Sequence, residues 1–240
     1  MKHNYYAIAL EKFNIGEADR LYTFYTLEEG LIRVPAKSSR KGKSKMASQI
    51  EDFMLSHIMI VKNYGRGVLA GAIAEEYFVE VHENHMALKC LDKARKIFLE
   101  IIDENFVDEE TFAIWVQFLR QLNKLAQKED CIEMEFEWVT HAFLLKIFAL
   151  QGYDFNVNAC SVCGLSIVKK KNGFSSARGG ILCEKCFCND YFCYVEPDTI
   201  KAMRVIYGND LTTLSKLIVN DIVHKQMDIV VLNIKNWIVR

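Results

Sequence analysis

Alternation of apolar and polar positions dominates the first 80 residues. Tyr5 to Phe13 reads as a strand that Asn14-Ile15-Gly16 turns. Leu21-Tyr22-Thr23-Phe24-Tyr25-Thr26 is dense in β-branched and aromatic residues, which suit a pleated surface. Glu28-Glu29-Gly30 turns the chain into Leu31 to Val34. Met54 to Val61 is a further apolar strand, and Tyr64-Gly65-Arg66-Gly67 leads into Val68 to Ile73. Five strands separated by turns predict a small barrel or sandwich. Helix propensity competes with strand around Ala70 to Glu76.

From about residue 82 the period changes to that of a helix. Leu88, Leu91, Ala94, Phe98 and Ile101 share one helical face. Phe112, Trp115, Val116, Leu119, Leu122 and Ala126 form a second, with Asp108, Glu109 and Glu110 at its favourable N-terminal end. Phe136, Val139, Phe143, Ile147 and Leu150 form a third, which Gly152 closes. Pro197 opens a fourth helix running to about Tyr207, and Thr212 to Val223 reads as a fifth. Ile229 to Val239 fits either state: its β-branched content favours strand, its neighbours favour helix. The organisation predicted is an α+β chain: a barrel domain over 1–81, then a helical domain over 82–240 that contains a metal ribbon at 158–190.

Composition narrows the class. Of 240 residues, 51% are apolar and 25% charged, as in ordinary globular proteins. No apolar run reaches the roughly 18 residues of a membrane span, and the N-terminus lacks the apolar core of a signal peptide. Eight cysteines in such a chain point to reduced thiols or metal ligands in the cytoplasm. The net charge of −1 conceals segregation: +1 over residues 1–80, −5 over 81–150 and +3 over 151–240. Any nucleic-acid site must therefore be a local patch.

Two segments carry chemistry. Cys160-x2-Cys163 and Cys183-x2-Cys186 stand 19 residues apart, and two such knuckles close a tetrahedron around Zn²⁺ with no open position, a structural site. An iron–sulfur cluster is the lesser alternative. Asn172-Gly173 and Gly179-Gly180 mark turns in the intervening loop, while Cys188 and Cys193 blur the assignment of the fourth ligand. The second segment is basic. Between Gly30 and Ile50 there is no acidic residue, and Arg33, Lys37, Arg40, Lys41, Lys43 and Lys45 alternate with Ser38, Ser39, Gly42 and Ser44. A solvated loop explains this on charge alone; the flanking barrel strands favour contact with nucleic-acid phosphates. Tyr22 and Phe24 are candidates for stacking bases or for the barrel core. The sequence holds no phosphate-binding loop, no Gly-x-Ser-x-Gly and no His-Glu-x-x-His. A zinc-ribbon RNA-binding or transcription-associated module, and an enzyme with a catalytic thiol at Cys188 or Cys193, remain rival classes.

Gly16-Glu17-Ala18-Asp19-Arg20-Leu21, Tyr25-Thr26, Gly30-Leu31-Ile32 and the run from Lys37 to Lys45 resemble the N-terminal signature of the RecO family of DNA repair and recombination mediators. Gly152-Tyr153, Cys160-x2-Cys163, Phe174-Ser175, Gly179-Gly180 and Cys183-x2-Cys186 resemble that family's zinc-bearing segment. The chain departs from the family pattern at Ser38, where Gly is usual, and at Ile50-Glu51-Asp52-Phe53, which adds negative charge beside the basic loop. The resemblance implies an N-terminal OB-fold, a helical domain with a four-cysteine zinc ribbon inserted, and a non-enzymatic role. It implies binding of single- and double-stranded DNA, annealing of complementary strands, and partnership with RecR and with the tail of the single-stranded-DNA-binding protein in loading RecA. That acidic, apolar-ended tail needs cations around an apolar pocket. Arg120, Lys124 and Lys128, at four-residue steps beside Trp115, Phe118, Leu119 and Leu122, are candidates, against the alternative of local salt bridges.

Overall fold

The computed structural model describes residues 1–39, 49–62, 65, 67–104, 106–168, 171–186, 193–215, 217 and 219–240. They form two compact units, one of Met1–His82 with Ile102–Leu119, the other of Glu83–Ile101 with Arg120–Arg240.

The first unit is a barrel of five antiparallel strands, β1 (Lys2–Ile15), β2 (Asp19–Thr26), β3 (Gly30–Ala36), β4 (Leu55–Val61) and β5 (Val68–Glu76), in the order β3-β2-β1-β4-β5. Its end strands β3 and β5 lie against each other, which closes the sheet as an OB-fold. β1 is longer than the periodicity predicts. It pairs with β2 and β4 at once, and a bulge between Ala9 and Glu11 bends it between the two ladders. β5 continues as strand to Glu76, so ladder pairing with β4 overrides the helix propensity of Ala70 to Glu76.

Every second residue points inward. Tyr5, Ala7 and Ala9, Tyr22 and Phe24, Val34 and Ala36, and Ile58 and Ile60 form one core with Leu69 and Ile50. Tyr22 and Phe24 are fully buried and stack with ring centres 5.6 Å apart. They are therefore core side chains and not platforms for bases. Outside the barrel, Phe112 packs on Tyr6 and Tyr25 at 5.4 and 6.2 Å. Phe112 sits in the first turn of α3 (Glu109–Ala126), which follows α1 (Val79–Glu83) and α2 (His85–Ile101) in the chain. Asp108 caps α3 by accepting from the Thr111 N–H at 2.7 Å.

The second unit is built around α4 (Glu133–Leu150), buried on nearly every face from Phe136 to Phe148. Around it pack α2, α5 (Pro197–Gly208), α6 (Leu211–Leu214) and α7 (Asp221–Ile238). Among the described residues, the helix predicted over Thr212–Val223 is not continuous. α6 ends at Leu214, and Asn220 opens α7 by accepting from the Val223 N–H at 2.9 Å. The ambiguous stretch Ile229 to Val239 is the second half of α7 with its C-cap, Val239. A three-stranded sheet of β6 (Asn172–Ser175), β7 (Gly180–Leu182) and β8 (Cys193–Val195) completes the unit in the order β7-β6-β8. Asn172-Gly173 begins a strand where the sequence predicts a turn; the reversal is made by a 3₁₀ turn over Ser176–Arg178 that ends at Gly179-Gly180. Among the described residues no helix is long and apolar enough to cross a membrane.

A buried polar cluster pins α7 to α4. His141 is fully buried, with its Nε2 2.8 Å from Asp228 Oδ1, and Lys93 pairs with the same carboxylate. The carboxylate only accepts, so the His141 proton resides on Nε2. Burial lowers the His141 pKa against the pull of Asp228, and burial with the neighbouring His141 lowers that of His224. Burial works against the Asp228 charge, but the bonds from His141 and Lys93 prevail and hold its carboxyl well below the usual range. The two histidines are thus neutral in the fold and titrate near 6.5 when unfolded. Below that value the unfolded chain binds more protons, so their stabilising contribution is full above about 6.5 and is lost as pH falls. The Asp228 contribution persists to far lower pH. The urea midpoint is expected to fall between about pH 7.5 and 5.5. The His141→Gln/His224→Gln variant should be less stable at pH 7.5 by about 1–3 kcal/mol but flatter across that window. An unchanged slope in the variant would assign the pH dependence to other groups.

Candidate metal centre and nucleic-acid interface

The four cysteines of the two knuckles converge. The Sγ atoms of Cys160, Cys163, Cys183 and Cys186 all lie within 4.8 Å of one another, and Cys163 and Cys183 are 3.7 Å apart. A tetrahedron of sulfurs at zinc–thiolate bond length has edges of about 3.8 Å, so the group fits one tetrahedral ion. Local backbone geometry makes the cluster. In the first knuckle the Gly164 N–H donates to Cys160 O at 2.9 Å and the Cys160 N–H to Leu165 O at 2.8 Å; in the second the Cys186 N–H donates to Cys183 O at 2.9 Å. The Cys183 N–H also points at the Cys160 sulfur, 3.4 Å away. Burial opposes ionisation of Cys160, but backbone N–H groups of Cys163, Cys183 and Val162 outweigh it and hold the thiol down at about 6. The ligand form of a cysteine is the thiolate, which these N–H groups favour at Cys160.

The ribbon is fastened to its helices. Asn233 on α7 accepts from the Ser176 hydroxyl at 2.6 Å, and Arg204 on α5 donates to Val157 O at 2.8 Å. Phe155 stacks edge-on against Phe174 and Trp237 at 5.3 and 6.4 Å. Gly180 has φ +138, and a Cβ there would lie 2.3 Å from Asn156 O, so only glycine lets the start of β7 bridge to the backbone at Asn156, ahead of the first knuckle. Of the two further thiols near the ribbon, Cys193 lies in β8 with its sulfur 3.8 Å from Phe174 O, and burial pushes it up to about 11. That protonated, inward thiol suits neither a ligand nor a nucleophile. Cys188 lies outside the described residues.

The basic segment leaves the barrel at the end of β3 and rejoins it before β4. Its ends are tied down. The Ser38 N–H donates to Asp19 Oδ1 at 2.7 Å, the Ser39 hydroxyl donates to Ala36 O at 3.1 Å, and Gln49 O accepts from the Ser56 hydroxyl at 3.1 Å. Asp19 of the turn motif is thus an anchor for the segment. Ser38 sits at φ 55, a left-handed conformation that favours the Gly of the family pattern. Arg40, Lys41, Lys43 and Lys45 lie outside the described residues; Lys37 is exposed. The negative charge of Glu51 and Asp52 is answered by Lys12, which pairs with both.

Arg33 faces a cavity of about 190 Å³ whose lining includes Leu31, Val34, Ile60, Glu29, Lys62 and Glu104. Its guanidinium pairs with Glu104, and Lys62 Nζ sits 2.8 Å from both Glu29 oxygens and 5.5 Å from the centre of the Tyr5 ring. The hydrogen bond that Lys62 donates to Glu29 raises the Lys62 pKa; burial works against the Glu29 charge, and the bonds it accepts from Lys62 and Tyr5 prevail and lower that carboxyl. Lys62 and Glu104 escape the sequence reading: each is one charge among many, and only folding brings it to the barrel mouth.

Of the cationic trio, Arg120 and Lys124 are exposed on α3, but the helix ends at Ala126 and Lys128 lies beyond it, paired with Glu135 at 3.0 Å. Trp115, Phe118, Leu119 and Leu122 are buried and offer no outer apolar rim. A cleft of about 250 Å³ instead gathers Gln121, Lys124, Leu125, Lys128 and Ser215.

Comparison with known proteins agrees with this architecture. The family model described as Recombination protein O N terminal matches residues 1–72, and that described as Recombination protein O C terminal matches residues 98–232. Relatives named DNA repair protein RecO include those of Dehalococcoides mccartyi, 24% identical over 94% of this chain and 86% of the relative. That of Alkaliphilus metalliredigens is 26% identical over 89% and 84%. That of Halalkalibacterium halodurans is 23% identical over 90% and 82%. With both models matched in chain order and same-named relatives aligned over most of its length, the chain belongs to the RecO family.

Proposed function

We propose that this chain is a non-catalytic mediator of DNA repair and homologous recombination. It binds single- and double-stranded DNA, anneals complementary strands, and with RecR helps load RecA onto DNA coated by single-stranded-DNA-binding protein. The observation that carries the reading is the acid-free basic segment, pinned at both ends to an OB barrel in a RecO-family chain. Annealing brings two polyanions together, and a cationic segment lowers their repulsion without reading bases. Because Arg33 is paired with Glu104 and Lys62 with Glu29, the field for phosphates comes chiefly from Lys37, Arg40, Lys41, Lys43 and Lys45.

Reversing Arg40, Lys41 and Lys43 to Glu should abolish most annealing of complementary oligonucleotides coated by single-stranded-DNA-binding protein, with the circular dichroism spectrum unchanged. If about five phosphates are contacted, the slope of log K against log salt for single strands should be near −3.5 in the unaltered protein and shallower in the variant. Unchanged affinity and slope would move the DNA site elsewhere, and a preference for RNA would favour a ribbon-bearing RNA-binding module.

The ion we propose for the four cysteines is zinc, one per chain, as a structural centre. β7 and β8 have three residues each and β6 four, too few to hold together by ladder bonds alone. Structural zinc binds with an apparent energy on the order of 10 kcal/mol in small fingers. Chelation or Cys160→Ser should therefore disorder the ribbon and lower solubility, while the barrel and α4 keep their secondary structure. Elemental analysis finding stoichiometric zinc after replacement of both Cys160 and Cys183 would overturn the assignment.

For the tail of the single-stranded-DNA-binding protein, the cations of this reading are Lys124 and Lys128 at the cleft lined by Gln121, Leu125 and Ser215, with Arg120 beside them. Titration of a tail peptide against Arg120→Glu/Lys124→Glu should show at least a roughly tenfold loss relative to the unaltered chain. Equal affinity in the folded variant would exclude this face.

A further inference from the structure

Burial of Tyr22 and Phe24 turns attention to the other face of their strand. Along β2, Leu21 and Thr23 alternate with those core residues and so face outward. Leu21 stands opposite Phe13 of β1 on one side and Pro35 of β3 on the other, which makes one row across three strands. Directly opposed side chains lie about 4.5–5.5 Å apart at Cβ, so the row is a continuous apolar ledge. Ile15, two residues beyond Phe13 on the same face, extends it. Phe13 is 54% and Ile15 47% exposed, and among the described residues no other phenylalanine is as open to solvent. The solvent face of an antiparallel sheet is ordinarily polar, so a half-bare ring beside a second half-bare apolar side chain departs from the pattern.

We infer that this ledge stacks the bases of single-stranded DNA, with Phe13 as the platform. The inference rests on the DNA-binding reading above and adds to it a ground for preferring single strands. The place where the basic segment begins selects this occupant. Ile15 stands opposite Asp19, and Asp19 Oδ1 accepts from the Ser38 N–H at 2.7 Å, so the segment starts beside the ledge. The exposed Lys37 follows Pro35 by two residues. Two strand spacings, about 10 Å, separate Phe13 from β3, and about three nucleotides at 3.4 Å each cover that distance. A strand whose phosphates follow the segment thereby sets neighbouring bases over Phe13. The acids at this end are placed to permit it: Asp19 is engaged with Ser38, Glu11 accepts from the Thr23 hydroxyl at 3.2 Å, and Glu17 lies in the turn beyond the ladder. Stacking on an aromatic ring tolerates any sequence, because every base has a π-face. A duplex keeps its bases paired and stacked inside and offers the ring only its backbone. Phe13 thus adds affinity for single strands alone, while the cations serve both forms.

Fluorescence anisotropy of the full chain with a labelled oligothymidylate strand, a duplex and an abasic strand, over a range of salt, tests this. Phe13→Leu keeps the apolar bulk and removes the ring, at a position exposed enough to leave the circular dichroism spectrum unchanged. It should weaken single-strand binding about tenfold and leave duplex affinity within about twofold. The slope of log K against log salt should stay that of the unaltered chain, because no phosphate contact is lost. Phe13→Trp should hold the single strand at least as tightly as the unaltered chain, and the abasic strand should bind the unaltered chain and the Leu variant alike. The inference is overturned if Phe13→Leu binds the single strand as tightly as the unaltered chain, weakens both forms alike, or loses RecR instead of DNA, and equally if Phe13→Trp fails to retain the strand. Failure of the underlying reading looks different: charge reversal at Arg40, Lys41 and Lys43 would then leave affinity and salt slope unchanged. A chain that binds neither form overturns both.

Discussion

The second unit is organised by the need to keep water from α4. Phe136, Trp138, Val139, Phe143, Leu144, Ile147 and Phe148 point in all directions around that helix and are buried, so it has no face it can show to solvent. Each element around it covers one sector. The Trp138 indole N–H donates to Leu214 O at 2.9 Å, which fastens the short α6, and His141 carries a polar group into the sector towards α7 and finds its partner there. Once α4 is covered, the covering helices should be polar on their outer sides. The outer side of α7 departs from that rule at Ile222, Ile229 and Leu232, each about half exposed.

Much of the architecture is legible in the chain, and the reasons are local. The barrel strands are readable because alternation and turn residues act over a few neighbours: Tyr22 and Phe24 face inward, while Thr23 between them and Tyr25 after them face the other way. The cysteine cluster is readable because two-residue spacing fixes how far apart sulfurs can be. The differences fall where local signal is absent or double. α7 is apolar on two sides, so its periodicity blurs, and the helix expected over Thr212–Val223 merges its first turn with α6; the decisive residue is the cap, Asn220. The turn predicted at Asn172-Gly173 fails because pairing with β8 claims those residues for a strand. Ion pairs such as Arg33 with Glu104 join residues 71 apart in sequence and leave no trace in it.

Charge is used differently along the chain. In the helical unit several exposed cations have carboxylates at hand: Lys89 pairs with Glu133, Lys201 with Asp198 and Lys225 with Asp221. Exposed pairs of this kind add little stability and project little field. The run between Gly30 and Ile50 has no acid within it, and the two acids that follow, Glu51 and Asp52, are already paired with Lys12. The chain's net charge is therefore a poor guide to its local potential.

Gly30 shows how the barrel limits sequence divergence. It has φ +65, and a Cβ there would stand 2.4 Å from the backbone carbonyl of Phe106. A side-chain neighbour could be trimmed by a second substitution, but a carbonyl cannot. No compensating change elsewhere would admit alanine without moving the segment that leads into α3. Relatives that share about a quarter of their residues with this chain have replaced most of its side chains, yet a lineage that lost this glycine would have to rebuild the approach of two backbones in one step. Neutral drift is closed at such a position, whatever the sequence around it becomes.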